Sequence, residues 1–124
     1  MPQGSRPARV GDLIREELSV LLQREVRNPD LQRVTLTHVR MSKDLQHAHV
    51  LYTATADQEG RRALVRAFQK TGPYLKRLLG RQLRLRYVPE LSFEYDESVE
   101  RQDRVAQLFA EIAATRPPDE GHDG

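Results

Sequence analysis

An α+β domain, a three-stranded sheet with helices on one face, is what this sequence predicts. Three observations carry that reading. Stretches of 3.6-residue apolar periodicity are interleaved with stretches that alternate apolar and polar residues. Strand-like segments are few, so the sheet must bury its apolar side under helices. The chain has 124 residues, 38% hydrophobic and 31% charged, with no cysteine. That length suits one domain with a core of its own, without metal or disulfide staples. Disulfides and thiolate zinc sites are excluded.

The first helix is predicted from about Arg9 to Val26. Val10, Leu13, Ile14, Leu18, Leu21 and Leu22 share one face, and Asn28-Pro29-Asp30 stops it. Val34–Met41 and Ala48–Ala56 alternate and are β-rich, with Ser42-Lys43-Asp44 as turn chemistry between them, which makes an antiparallel hairpin. Asp57-Gln58-Glu59-Gly60 is a surface turn that places acids at the start of the next helix. That helix begins near Arg61 and carries Leu64, Phe68, Leu75, Leu78 and Leu79 inward. Pro73 interrupts it, so a sharp kink, or two helices on one core, is expected at Thr71-Gly72-Pro73. Gly80 suits a left-handed helix end.

Leu83, Leu85 and Tyr87 alternate with Arg84 and Arg86 and read as a strand. Leu91, Phe93 and Tyr95 continue the parity beyond Pro89. Asp96–Ser98 caps a last helix that buries Val105, Leu108, Phe109 and Ile112. The expected layout is a flexible N-terminus over 1–8, one domain over 9–114 and a disordered tail over 115–124. Helix, strand, strand, kinked helix, strand, helix is the order of a type II KH domain, an RNA-binding arrangement.

Net charge is only +2, but it is polarised. Residues 61–90 hold nine Lys/Arg and a single acid, Glu90, while residues 91–124 hold three Lys/Arg and nine acids. A run of that kind offers a basic surface to a polyanion. Arg62, Arg66 and Lys70 are spaced i, i+4, i+8, Lys76, Arg77 and Arg81 follow the interruption, and Arg84 and Arg86 share one face of the expected strand. These eight, with Arg6 and Arg9 near the N-terminus, are the candidate RNA-binding residues, suited to phosphate by charge and by the planar guanidinium fork. Thr71, Gly72 and Pro73 form the candidate helix kink. No GxxG loop is present there, so the KH single-strand clamp has no support.

Chemistry is thinly represented. His38, His47 and His49 could approach one another across the hairpin, but strand histidines are commonly structural. Asp96, Glu97, Glu100 and Asp103 resemble a carboxylate cluster, although acids are expected at a helix start from the dipole alone. No phosphate-binding glycine loop or nucleophile elbow is present. No enzyme activity, cofactor or metal is expected. The first residues form no signal peptide and no apolar run is long enough for a membrane helix, so a cytoplasmic protein without membrane contact is expected.

Four stretches carry a family resemblance. They are Arg9-Val10-Gly11-Asp12-Leu13-Ile14-Arg15-Glu16-Glu17-Leu18; Val34 to Leu45 with Ala48-His49-Val50; Leu78-Leu79-Gly80; and Leu83-Arg84-Leu85-Arg86-Tyr87-Val88-Pro89-Glu90-Leu91 followed by Phe93 and Asp96. Over roughly residues 6–112 the chain resembles the ribosome-binding factor A family. The resemblance implies a type II KH-like fold in which an Ala-x-Gly kink replaces GxxG. It implies binding to the small (30S) ribosomal subunit, 16S rRNA or its precursor, and help in late maturation and end processing of that RNA. No catalytic activity is implied, and assembly GTPases are implied as further partners; a monomer is expected. Thr71 and Pro73 stand at the family's Ala and Gly positions, with Gly72 between them. A DNA-binding, nucleoid-type protein is the alternative that shares the electrostatics.

Overall fold

In the computed structural model, which describes residues 5–115, the elements follow the expected order with one addition. Helix α1 spans Arg6–Arg24. It starts three residues before the expected point because Ser5 caps it, its Oγ accepting from the Ala8 N–H at 3.2 Å, and a proline lies in the first turn. Of the expected flexible N-terminus, residues 1–4 lie outside the described residues, as do residues 116–124 of the expected tail. Asn28-Pro29-Asp30 does more than stop a helix. It opens a second, short one, α2 (Pro29–Gln32), whose Asn28 side chain accepts from the Asp30 N–H at 2.9 Å and whose Leu31 is fully buried.

Strands β1 (Thr35–Met41) and β2 (His47–Thr53) form the antiparallel hairpin, with a bulge between Leu36 and His38. Thr37, the extra residue, donates its hydroxyl to Asp96 at 2.5 Å. Helix α3 (Gln58–Leu83) follows, capped by Asp57, whose carboxylate accepts from the Gly60 N–H at 2.8 Å. Strand β3 (Glu90–Tyr95) then pairs parallel to β2, with Val50 opposite Phe93 and Tyr52 opposite Tyr95. The sheet order is β1-β2-β3. The last helix, α4, spans Glu97–Thr115.

One face of the sheet presents Leu36, Val39, Ala48, Val50 and Tyr52 to Ile14, Leu18 and Leu22 of α1 and Leu64, Phe68, Leu75 and Leu79 of α3. The helix-on-one-face arrangement of a type II KH-like α+β domain is therefore present. Gly11 sits where α1 crosses β1, and a Cβ there would lie 2.6 Å from the Val39 carbonyl oxygen. The opposite face carries Arg40, His49, Thr53, Ser92 and Glu94 and, among the described residues, no helical layer. Among the described residues no helix is long and apolar enough to cross a membrane.

Three expectations need correction and a fourth is narrowed. Of the two forms expected at Thr71-Gly72-Pro73, a kink or two separate helices, the second is excluded, because α3 continues through Pro73 as one 26-residue element. Gly72 lacks the Cβ that would crowd the proline ring, and Pro73 is exposed, so water can satisfy the carbonyl it leaves unpaired. Gly80 is not the helix end. It lies inside α3, where a Cβ would sit 2.6 Å from Val88 Cγ2, and the left-handed cap is Arg84 at φ 51°. Leu83–Tyr87 is not a strand, since Leu83 closes α3 and residues 84–89 form the connection to β3. Leu83 and Leu85 are half-buried, whereas Tyr87 is exposed, so the alternation marks no common buried face. Finally, α4 buries nothing, and Val105, Leu108, Phe109 and Ile112 are exposed.

Two substitutions test this packing. Gly11→Ala should cost about 1–3 kcal/mol, because its methyl meets rigid backbone. Pro73→Ala should stabilise by about 1–3 kcal/mol, because it restores a helical hydrogen bond. Urea unfolding of each variant beside the parent measures both, and a destabilised Pro73→Ala would contradict a helix that runs through.

Candidate nucleic-acid interface

Because α3 is continuous, its cations can be placed on one cylinder. At 3.6 residues per turn, Arg62, Arg66, Lys70, Arg77 and Arg81 fall within about 100° of circumference, over about 28 Å of length. All five are exposed. Their stripe is centred opposite Leu64, Phe68, Leu75 and Leu79, which are buried. None of the five has an ion-pair partner among the described residues. Tyr74 borders the stripe, 38% exposed, with the Arg77 guanidinium 5.7 Å from its ring centre. Such a row of unpaired charge can neutralise successive phosphates and release counterions.

The remaining candidates separate. Lys76 lies off the stripe, half-buried, and is paired with Glu90 at the start of β3. That hydrogen bond, and the charge behind it, hold the Glu90 carboxyl below its ordinary pKa. Arg84 is exposed at the left-handed cap just past α3, and Arg86 is exposed in the following loop, so the two do not share a strand face. Arg6 and Arg9 are exposed on the first turns of α1. Arg6 and Arg86 line one cleft between α1, the hairpin turn and the α3–β3 loop. Thr71 is half-buried, and Gly72 and Pro73 line a groove between α3 and β3, where Gly72 has Phe93 as its nearest neighbour, 3.6 Å from where a Cβ would be.

The other polar clusters are committed to the fold. His49 contacts Ser92 Oγ through Nδ1 at 2.8 Å and Glu94 through Nε2 at 2.6 Å, across the open sheet face. Among the described residues no three His, Asp or Glu side chains gather as metal ligands would. Asp96 accepts from Ser98 and Thr37, which lower its pKa in that order. Glu100 takes a hydrogen bond from Arg61, which is the main reason its pKa falls. Arg61 also lies 3.8 Å from Glu97 and 3.9 Å from the Tyr95 ring centre. It belongs to the basic run in sequence and to the anchoring of α4 in space. Sequence reasoning passed over Tyr74 and Tyr87 as surface aromatics. The signal was an aromatic adjacent to arginine, hidden at Tyr87 by the strand reading.

Residues 6–109 match the family described as ribosome-binding factor A. Ribosome-binding factor A of Thermomicrobium roseum is 37% identical over 115 residues, covering 93% of this chain and 89% of that protein. That of Coxiella burnetii is 42% identical over 104 residues, covering 84% and 87%. The crystal structure of ribosome-binding factor A from Thermus thermophilus superposes with a TM-score of 0.63 at 27% identity, covering 73% of this chain and 97% of that one. A homology model of the Thermus thermophilus protein, fitted into a cryo-EM map of a 30S–ribosome-binding factor A complex, gives 0.62 at 27% identity, covering 73% and 96%.

Arg61→Ala should free the start of α4, so that its amides exchange hydrogen faster while those of α3 keep their protection. Acid should lower the protection of the same amides in the parent, taken relative to the intrinsic exchange rate, which itself slows in acid. The depressed Glu100 pKa means that the contact is intact at neutral pH and is lost as pH falls through that lowered value. Hydrogen exchange followed by mass spectrometry at neutral and acid pH measures both effects.

Proposed function

Because this chain belongs to the ribosome-binding factor A family, we propose that it binds the free small ribosomal subunit, or its precursor, and assists late maturation and end processing of 16S rRNA. The α3 stripe is the observation that carries this reading. Five exposed cations without intramolecular partners among the described residues stand on the side of the helix opposite the core. They retain their full charge for phosphate, and a rigid helix presents them at fixed spacing. Contacts of this kind position a protein on folded RNA by backbone shape rather than by base sequence. Arg84, Arg86, Arg6 and Arg9 extend the basic surface beyond the end of α3, and Lys76 acts chiefly through Glu90.

The role is one of binding, not catalysis, carried out by a monomer in the cytoplasm. Assembly GTPases are its expected company, through the family. Family membership favours ribosomal RNA over duplex DNA as the polyanion.

Arg77→Ala combined with Arg81→Ala tests the stripe. Both side chains are exposed, so thermal stability should stay within the usual small surface effect of about 0.5 kcal/mol. Affinity for purified small subunits should fall roughly tenfold, and the salt dependence should flatten by about one to two units of log–log slope. Sedimentation with small subunits across a salt series gives both quantities. An unchanged slope would remove these arginines from the interface.

A further inference from the structure

The cleft at the far end of α3 is a different kind of site from the stripe. It opens between the N-terminus of α1, the hairpin turn and the α3–β3 loop, and is lined by Arg6, Lys43, His47, Arg86 and Tyr87. Tyr87 is 77% exposed, more than any other large apolar or aromatic side chain described. The Arg86 guanidinium lies 5.4 Å from its ring centre. An aromatic ring left this open costs hydration free energy unless something covers it.

The loop that carries Tyr87 is fixed at both ends. The Leu85 N–H donates to the Gly80 carbonyl at 3.2 Å, Val88 packs against Gly80, and Pro89 is buried. The Glu90 N–H donates to the Gln46 carbonyl at 2.8 Å, tying the loop to the hairpin turn. Tyr87 is thus displayed by an anchored segment, not by a loose one. The cleft's two carboxylates are already engaged. Asp44 accepts from Ser42 Oγ at 2.6 Å and from the Gln46 N–H at 3.1 Å, and Glu90 is paired with Lys76. Hydrogen bonds from Ser42 and Lys76 respectively keep both acids ionised and occupied. Arg6, Lys43 and Arg86 have no ion-pair partner among the described residues. The first turn of α1 contains no acid, so the positive end of its dipole adds to them.

A flat ring beside unpaired cations recognises a nucleotide that is out of its helix: the base stacks and the phosphates meet the charges. We propose that this cleft holds an unpaired nucleotide of an RNA strand, its base on Tyr87 and its flanking phosphates against Arg6, Lys43 and Arg86. The proposal rests on the RNA-binding reading above and adds a single-stranded subsite to it. A fully paired helix cannot use Tyr87, because its bases already stack on one another.

The test uses the full chain with three probes: a short oligoadenylate, a blunt-ended RNA duplex with every base paired, and AMP. The chain has no tryptophan, so Tyr87→Trp introduces a single reporter. Oligoadenylate should quench that reporter and bind more tightly than AMP. Tyr87→Ala should weaken oligoadenylate binding roughly tenfold and leave the duplex unaffected, while Tyr87→Phe should bind like the parent. Arg86→Ala should lower the salt slope for oligoadenylate by about one. Oligoadenylate binding that is absent in the parent, or equal in the parent and Tyr87→Ala, overturns the proposal. AMP binding as tightly as the oligomer overturns it too. Sedimentation of the parent with small subunits is measured alongside. If that association is present while Tyr87 makes no difference, the subsite alone falls, whereas its absence removes the reading beneath it.

Discussion

Phe68 sets the rotation of α3, and much else follows from that rotation. Its ring stacks on Phe93 of β3 at 4.3 Å with the planes 12° apart, and lies 4.7 Å from Tyr52 of β2. Tyr52 in turn meets Tyr95 edge-on at 5.7 Å. Three elements meet at one aromatic cluster, and each ring buries a large apolar surface. Turning α3 by one residue would withdraw Phe68 and drive charged side chains toward the sheet, at several kcal/mol for each unpaired ion. The buried arc and the charged arc are therefore a single constraint. What holds α3 on the sheet also keeps its arginines in water.

The continuity of α3 matters as much as its rotation. A break at Pro73 would let Arg62, Arg66 and Lys70 point independently of Arg77 and Arg81. With the helix intact, the cations keep fixed mutual spacing, which suits a polyanion whose charges are also regularly spaced. Gly72 is the residue that makes this possible, since it is placed just before the proline and has no Cβ to crowd its ring.

Opposite charges in this chain are sorted, not cancelled. Arg61 and Lys76 are spent on Glu97, Glu100 and Glu90 and serve the architecture. Asp96 is satisfied by Ser98 and Thr37 at the junction of β3 and α4. The C-terminal acids therefore do not shield the α3 stripe among the described residues. Helix α4 stands apart from the core and is joined to the body mainly through the Arg61–Tyr95–Glu100 contact.

Local pattern was enough where local physics decides. Alternation in Val34–Met41 and Ala48–Ala56 marked the hairpin, periodicity marked Ile14, Leu18 and Leu22 as core, and the i, i+4, i+8 spacing of Arg62, Arg66 and Lys70 marked a helical stripe. The same kind of pattern misled at Leu83–Tyr87, where Leu83 closes a helix, Leu85 and Tyr87 lie in the loop after it, and no ladder forms. It also named an apolar face on α4 without saying whether anything would cover it. Periodicity records which side of a segment avoids water, but only the packing of distant elements decides what that side meets. That is why sequence alone identified the basic run and its helix, while the single wall of cations, the two of them diverted to ion pairs and the exposed Tyr87 cleft emerged only once α1, α3 and the sheet were assembled in three dimensions.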